Sequence, residues 1–132
     1  MHPETINPAT WAVLGKIANA DVVSQFYLAG GTALAIHLGH RISVDLDFFT
    51  SAKFSTTHIK ERLAEVGSFT VTDEDPAGTL NGILDEVQVS FFIYRYPTVF
   101  PTIPFEGIQL ADERDIAAMK LEAIVSRGTK RD

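Results

Sequence analysis

The sequence has no cysteine among its 132 residues, and its longest apolar runs are short. The first absence excludes disulfide bonds and thiolate metal sites, and it is typical of proteins that work in a reducing cytoplasm. The second leaves no stretch long enough to cross a membrane. Residues 1–4 also lack the basic and apolar parts of a secretion signal. We therefore expect a cytoplasmic protein with no membrane partner.

Basic residues are scarce as well. The chain has 11 Lys and Arg against 17 Asp and Glu, which gives a net charge of -6. Because affinity for a phosphate backbone depends on many Lys and Arg contacts, this balance argues against a broad nucleic-acid-binding surface. A local basic patch remains possible near Lys120 and Arg127, which are seven residues apart and share one helix face. A merely solvated face is the alternative.

The residues that are present predict one domain of the α/β (α+β) class over residues 1–132. Hydrophobic residues make up 45% of the chain, enough to bury a sizeable core at this length. Capping signals predict helices at 8–19 after Asn7, at 56–66 between Ser55 or Thr56 and Gly67, and at 113–127 between Asp112 and Gly128. Alternation and turn residues predict strands at 25–29, 42–48, 68–73, 79–84, 87–95 and 108–110. We expect a mixed twisted sheet backed by helices.

Two further groups of positions follow from these elements. The pair Asp85-Glu86 is expected to form a hairpin turn, and Pro97, Pro101 and Pro104 are expected to lie in a loop. The positions expected to face the core are Trp11, Leu14, Ile17, Leu34, Leu38, Val44, Leu46, Phe48, Ile59, Leu63, Val66, Ile116, Met119 and Ala123.

A glycine turn at Gly30-Gly31-Thr32 follows the apolar run 26–29. Glycine permits backbone angles that are closed to other residues and lets the chain approach a ligand closely. We expect Thr32 to cap a short helix that Gly39 ends. The first amides of such a helix lack internal partners and lie at the positive end of its dipole, so they suit a phosphate.

Two carboxylates follow on the next predicted strand. Asp45 and Asp47 alternate with Val44, Leu46 and Phe48, so both acids fall on one face. Residues two apart on a strand are roughly 6 to 7 Å apart at the backbone, and their unpaired charges repel. A Mg²⁺ ion removes that repulsion and prefers such oxygen ligands. Together with the glycine turn, the pair predicts a site for Mg²⁺ and a nucleoside triphosphate.

Other residues leave alternatives open. His37, His40 and Asp45 are weak candidates for a zinc site, and roles near the helix end are the alternative. Arg41 is a candidate for phosphate binding or for a salt bridge to Asp45 or Asp47. Four aromatic residues at the end of the predicted strand 87–95 and just after it suit the core and rim of a strand better than base stacking. They are Phe91, Phe92, Tyr94 and Tyr96.

The segment from Gly30 to Phe49 resembles the nucleotidyltransferase superfamily of DNA polymerase beta. That superfamily has Gly-Gly-Ser/Thr followed about ten residues later by Asp-x-Asp/Glu. Within it, residues 29–49 look closest to the AbiEii/AbiGii abortive-infection toxin family. A second block agrees, because residues 115–124, Arg127 and the closing run Lys130-Arg131-Asp132 are similar to that family's Asp-x-x-x-x-Lys helix and its Lys/Arg-Asp ending.

The resemblance implies a nucleotidyltransferase fold and the toxin component of a toxin-antitoxin system. The implied reaction transfers a nucleotidyl group from a nucleoside triphosphate, with Mg²⁺, to an acceptor that is RNA, protein or a small molecule. An antitoxin protein is the implied partner. Carried over by residue, Gly30, Gly31 and Thr32 contact the phosphates, Asp45 and Asp47 bind the metal and serve in catalysis, Lys120 faces the triphosphate, and Asp132 is a late functional acid.

The sequence departs from the superfamily pattern at one position. Members with a full catalytic set carry a third carboxylate on a later strand, where this chain has Ser90. Because that acid commonly deprotonates the attacking hydroxyl or completes a metal site, its absence leaves a nucleotide-binding or protein-interaction module without catalysis as the alternative. A sugar-nucleotide transferase of the Asp-x-Asp type is a weaker third hypothesis. The sequence ends within the closing motif, which predicts a chain truncated at its C-terminus or a minimal member.

Overall fold

The computed structural model describes residues 2–39 and 44–129. Its helices are α1 (Pro8–Asn19), α2 (Gly30–Leu38), α3 (Thr56–Val66) and α4 (Glu113–Thr129), preceded by a 3₁₀ turn at Pro3–Thr5. Its strands are β1 (Tyr27–Ala29), β2 (Leu46–Thr50), β3 (Phe69–Asp75), β4 (Thr79–Leu84), β5 (Val87–Ile93), β6 (Ile103–Phe105) and β7 (Ile108–Leu110).

The strands form one seven-stranded mixed sheet in the order β3-β4-β5-β2-β1-β7-β6. Strand β2 lies in the middle, antiparallel to β1 and parallel to β5. Strand β1 is parallel to β7, and the remaining neighbours are antiparallel. This architecture confirms the predicted α+β class and its mixed sheet with helices.

The two faces of the central strands differ in character because side chains alternate along a strand. Phe48 on β2, Phe91 on β5 and Leu80 on β4 are in register and fully buried, and they form the core side of the sheet. On the other side, Asp47 is in register with Ser90. The core therefore lies on one face of β2, and Asp47 lies on the opposite face.

Local capping explains the helix bounds. The Asn7 side chain accepts from the Ala9 amide at 2.9 Å at the start of α1, and the Ser55 hydroxyl accepts from the His58 amide at 3.1 Å at the start of α3. Gly39 ends α2 in the left-handed conformation, at φ 69°. These ends were predicted correctly because each depends on a residue next to it in sequence.

The turn between β4 and β5 is also as predicted. Asp85 and Glu86 have φ values of 47° and 71°, the left-handed conformation that a tight two-residue hairpin requires. The Asp85 carboxylate accepts from the Ser68 amide at 2.9 Å and pairs with Lys16 on α1. These two contacts fix the turn against the N-terminal helix.

Several predicted core positions are wrong. Trp11 is 37% exposed, with its ring edge against Phe105 at 6.0 Å, and Leu38 is 49% exposed at the last residue of α2. Val44 is 52% exposed because β2 begins only at Leu46. The side chain of Ala123 is outside what the structure describes. Helical periodicity identifies a candidate face, but the packing of neighbouring elements decides how much of it is covered.

Three predicted boundaries are wrong as well. Ala29, and not Thr32, is the N-cap of α2. Helix α4 continues through Gly128 to Thr129, and Pro104 lies within β6 instead of a loop. Because β6 is the last strand of the sheet order, a residue without an amide hydrogen is tolerated there. Within residues 2–39 and 44–129, none of the helices is long and apolar enough to span a bilayer.

Candidate active site

The glycine turn connects β1 directly to α2. Ala29 ends the strand, and Gly30 begins the helix with φ 72°. The cap residue Ala29 makes no side-chain hydrogen bond to the first turn. The amides of that turn therefore lie at the positive end of a helix without a capping side chain on the residue before them, which is the geometry that favours an anion.

Asp47 lies against this turn. A Cβ atom placed on Gly30 would be 2.7 Å from Asp47 Oδ2, so only glycine leaves room for the carboxylate. The strand register explains the contact, because Asp47 on β2 pairs with Ala29 at the end of β1. The fold thus brings the predicted metal-binding acid and the predicted phosphate-binding turn together.

Asp45 is placed by its backbone. It is exposed and immediately precedes β2, and its carbonyl oxygen accepts a hydrogen bond from the Thr32 hydroxyl. One residue earlier, the Val44 carbonyl accepts from the Thr10 hydroxyl at 2.9 Å. The first turn of α2 and the first turn of α1 therefore both hold the segment that carries Asp45.

The electrostatics of the pair favour a bound cation. Burial, and to a lesser extent the neighbouring charge of Asp45, raise the pKa of Asp47 to about 6. Over the part of the chain that the structure describes, no Lys, Arg or His forms an ion pair with either acid. A half-buried carboxylate in this setting is stabilised by a proton or by a metal ion.

The donor set fits Mg²⁺. No group of three or more His, Cys, Asp or Glu side chains that could hold a metal occurs among the described residues, so the protein offers two carboxylates here. Mg²⁺ is commonly bound by one or two carboxylates, with water and substrate phosphates completing its six positions. Asp45 and Asp47, next to an anion-binding helix start, match that pattern.

Ser90 occupies the place of the missing third acid. It is in register with Asp47 on the neighbouring parallel strand β5 and is only 2% exposed. Asp85 does not replace that acid, because its carboxylate is held by Lys16 and by the Ser68 amide at the hairpin turn. The next residue across the sheet is Asn81, in register with Ser90.

The remaining predicted site residues are less well placed by the structure. Lys120 is exposed on α4, a helix that packs against α2. Arg41, His40 and Asp132 lie outside the described residues. His37 donates through Nε2 to the Ala111 carbonyl at 2.8 Å, which supports the structural role over the zinc site.

Sequence reasoning missed the role of Asp115. This acid is 6% exposed near the start of α4, and its two oxygens accept from the Val99 and Phe100 amides at 2.9 and 3.0 Å. It therefore fixes the loop that follows β5. Because its partners lie 15 and 16 residues earlier in the chain, no local pattern points to them. The available signals were its place at the start of the Asp-x-x-x-x-Lys block and on the inward side of an amphipathic helix.

Comparisons with known proteins bear on the fold and on the family. A protein from Aquifex aeolicus (strain VF5), described as uncharacterized, is 40% identical over 126 residues, which cover 90% of this chain and 59% of that relative. A solved structure titled "Crystal structure of putative nucleotidyltransferase from H. pylori" aligns with a TM-score of 0.53 at 21% identity, over 84% of this chain and 54% of the other. The chain thus spans less than two thirds of the length of each, and the structural likeness supports the fold.

The sequence itself identifies the family. Residues 12–132 match the family described as nucleotidyl transferase AbiEii toxin, type IV toxin-antitoxin system. The match includes the glycine turn, both acids and all of α4. The chain belongs to the AbiEii nucleotidyltransferase toxin family.

Proposed function

We propose that this chain transfers a nucleotidyl group from a nucleoside triphosphate to an RNA or protein acceptor, with Mg²⁺ bound by Asp45 and Asp47. The observation that carries the proposal is the contact between Asp47 and Gly30, where a Cβ atom would come within 2.7 Å of the carboxylate. This contact supports the proposal because an acid suited to a metal ion lies beside a helix start suited to phosphate, the combination that transfer between phosphate groups requires.

In this proposal the triphosphate lies at the first turn of α2. The amides of Gly30, Gly31 and Thr32 hold its oxygens, and Arg41 and Lys120 contribute positive charge to it. Asp132 is the late acid of the site. Since the net charge of the chain is -6, attraction of the triphosphate depends on these basic groups and on the bound metal ion instead of on the charge of the whole molecule.

The reaction depends on the positioning of the acceptor and the triphosphate more than on a covalent intermediate with the protein. An acceptor hydroxyl attacks the α-phosphorus and loses its proton to solvent, the bond from the α-phosphorus to the bridging oxygen of the β-phosphate breaks, and pyrophosphate leaves. Bound Mg²⁺ neutralises charge on the phosphates. Asp45 and Asp47 would fix the position of the metal ion, and the α2 amides would align the leaving group.

The biological setting completes the proposal. We infer a single catalytic domain over residues 1–132 that acts as a toxin in the cytoplasm and is countered by an antitoxin protein. Membership in a type IV toxin-antitoxin family supports the toxin role.

The test measures transfer of label from each α-labelled ribonucleoside triphosphate to total RNA and to protein, with and without Mg²⁺. Asp45→Asn and Asp47→Asn are expected to lower the rate about 100-fold or more, because each removes a carboxylate ligand of the Mg²⁺ ion that neutralises charge on the phosphates. Asp73→Asn, which changes an exposed acid on β3, is the matched control and should keep the wild-type rate. Transfer by the two site variants at the wild-type rate would overturn the proposal.

Ser90 favours a second candidate, a module that binds nucleotide or a protein partner without catalysis. A buried hydroxyl beside Asp47 is a poor substitute for the carboxylate that takes the proton of the attacking group. Calorimetric titration separates the two, because this candidate predicts Mg²⁺-dependent nucleotide binding with no transfer. Transfer that appears only in Ser90→Asp would establish a decayed enzyme.

A further inference from the structure

A second cavity lies away from the glycine turn, between the loop after β5 and helix α4. Its volume is about 200 Å³. Its wall includes three tyrosines, one methionine and two acids, which are Tyr27, Tyr94, Tyr96, Met119, Asp115 and Glu122. Tyr27 begins β1, the strand that leads into the glycine turn, but none of the described residues that line the cavity belongs to that turn or to the acid pair.

Two aromatic rings of the cavity lie close together, and one of them is exposed to solvent. The rings of Tyr94 and Tyr96 are 5.5 Å apart at an angle of 59°. Tyr96 is 61% exposed, so its ring is accessible to a partner. The faces of tyrosine rings attract cations through their electron-rich surface, and guanidinium groups stack on them.

Neutral donors hold both carboxylates in the cavity. Asp115 accepts from the Val99 and Phe100 amides, and Glu122 accepts from the Tyr94 hydroxyl. These contacts fix the positions of the two acids, but they bring no positive charge. Among the described residues that line the cavity, none is Lys, Arg or His. The cavity therefore carries net negative charge.

The negative charge of the cavity contributes to raised pKa values of its tyrosines. Burial raises the pKa of Tyr27 to about 12, and the charge of Asp115 contributes to the shift. Burial and the hydrogen bond to Glu122 also raise the pKa of Tyr94. A bound cation would offset the negative electrostatic potential that makes these hydroxyls harder to ionise.

We propose that this cavity binds the guanidinium group of an arginine side chain presented by a protein partner. The planar cation stacks on Tyr96 and donates hydrogen bonds to Glu122, while the methylene groups of its side chain lie along Met119. Nucleic acid is disfavoured as the partner, since its phosphates would be repelled by Asp115 and Glu122. The net charge of -6 attracts a basic protein surface to the molecule, and Asp115 and Glu122 supply negative charge at this face.

The test is a titration of the full chain with N-acetyl-arginine amide, followed by amide chemical shifts in NMR spectra. Shifts are expected at Tyr94, Tyr96 and Glu122. N-acetyl-citrulline amide has nearly the same shape without the charge, and it should bind at least about threefold more weakly. Equal binding of the two probes, or shifts at these residues with free nucleosides and none with the arginine probe, would overturn the proposal.

Two variants and one control locate the binding. Glu122→Gln keeps an oxygen acceptor for Tyr94 but removes the charge, and Tyr96→Leu removes an exposed ring without disturbing the core. Each should weaken the arginine probe at least about threefold. Glu113→Gln changes an exposed acid of α4 outside the cavity and should have no effect. If both cavity variants match this control, the proposal fails. The titration uses neither Mg²⁺ nor nucleotide, so its failure would leave the nucleotidyltransferase proposal standing.

Discussion

Gly30 is the residue whose replacement tests the site most directly. Its φ of 72° and the close Asp47 Oδ2 atom both oppose a side chain there. We expect Gly30→Ala to lower the free energy of unfolding by about 1 to 2 kcal/mol from the backbone conformation alone, with a further loss from the displaced carboxylate. Urea denaturation measures the change.

Gly15 provides the matched control for that experiment. It lies in the middle of α1, and a Cβ atom placed on it would meet nothing within 4 Å. Gly15→Ala should raise the free energy of unfolding by up to about 1 kcal/mol, because alanine favours helix. Equal effects of the two substitutions would contradict the proposed close approach at Gly30.

Asp47 should make the metal-free protein less stable as the pH rises. Its pKa in the fold is raised from 3.8 to about 6, so the native state binds a proton more tightly than the unfolded chain does. The free energy of unfolding should therefore fall as the pH rises between these two values and stay low above them. At about 1.4 kcal/mol for each pKa unit, the full loss is about 2 to 3 kcal/mol.

Asp47→Asn removes that loss because the amide stays neutral. Above the raised pKa, the variant should be more stable than wild-type protein in the presence of a metal chelator, and it should lack the fall between the two values. Urea denaturation over a series of pH values makes the comparison, with Asp73→Asn as the control. If the wild-type protein instead gains stability relative to Asp47→Asn as the pH rises over this interval, the fold does not destabilise the Asp47 carboxylate.

At the scale of elements, Asp115 is expected to control the loop after β5. Asp115→Ala would leave the Val99 and Phe100 amides without their acceptor, at a cost of about 1 to 3 kcal/mol. Hydrogen exchange of these two amides should become faster. Glu113→Gln changes an exposed acid in the first turn of the same helix, and it should leave exchange in the loop unchanged. Faster exchange at Val99 and Phe100 in both variants would indicate general loosening of α4.

The elements that sequence predicted well are those with signals at their own ends. The helix ends at Asn7, Ser55 and Gly67 were predicted at the correct residue. The hairpin at Asp85-Glu86 lies where the alternation of apolar and polar residues stops. Prediction failed where a distant element decides the outcome. Leu38 has helical spacing, but no neighbouring element covers it enough to bury it, and Pro104 is admitted to β6 because that strand lies at the edge of the sheet.

At the scale of the whole molecule, the same distinction applies to the site. The order of glycine turn, helix and alternating acids is local, so sequence alone could place Gly30 and Asp47 in one hypothesis. Their contact depends on the antiparallel pairing of β1 with β2, and the position of Ser90 depends on the parallel pairing of β2 with β5. Sequence alone could suggest that Ser90 replaces the acid, but the register was needed to put it beside Asp47.

Mg²⁺ should reverse the effect of Asp47 on the stability of the whole molecule. A ligand that binds only the native state adds about 2.7 kcal/mol when its concentration is 100 times its dissociation constant. That gain is close to the loss of about 2 to 3 kcal/mol that the unpaired carboxylate imposes on the metal-free protein. With Mg²⁺ at this level, wild-type protein should therefore approach or exceed the stability of Asp47→Asn in urea denaturation, whereas the chelator leaves the variant ahead. Addition of Na⁺ at equal ionic strength controls for screening. If Mg²⁺ raises both proteins equally, the ion binds elsewhere, and Asp47 is a buried acid without a metal.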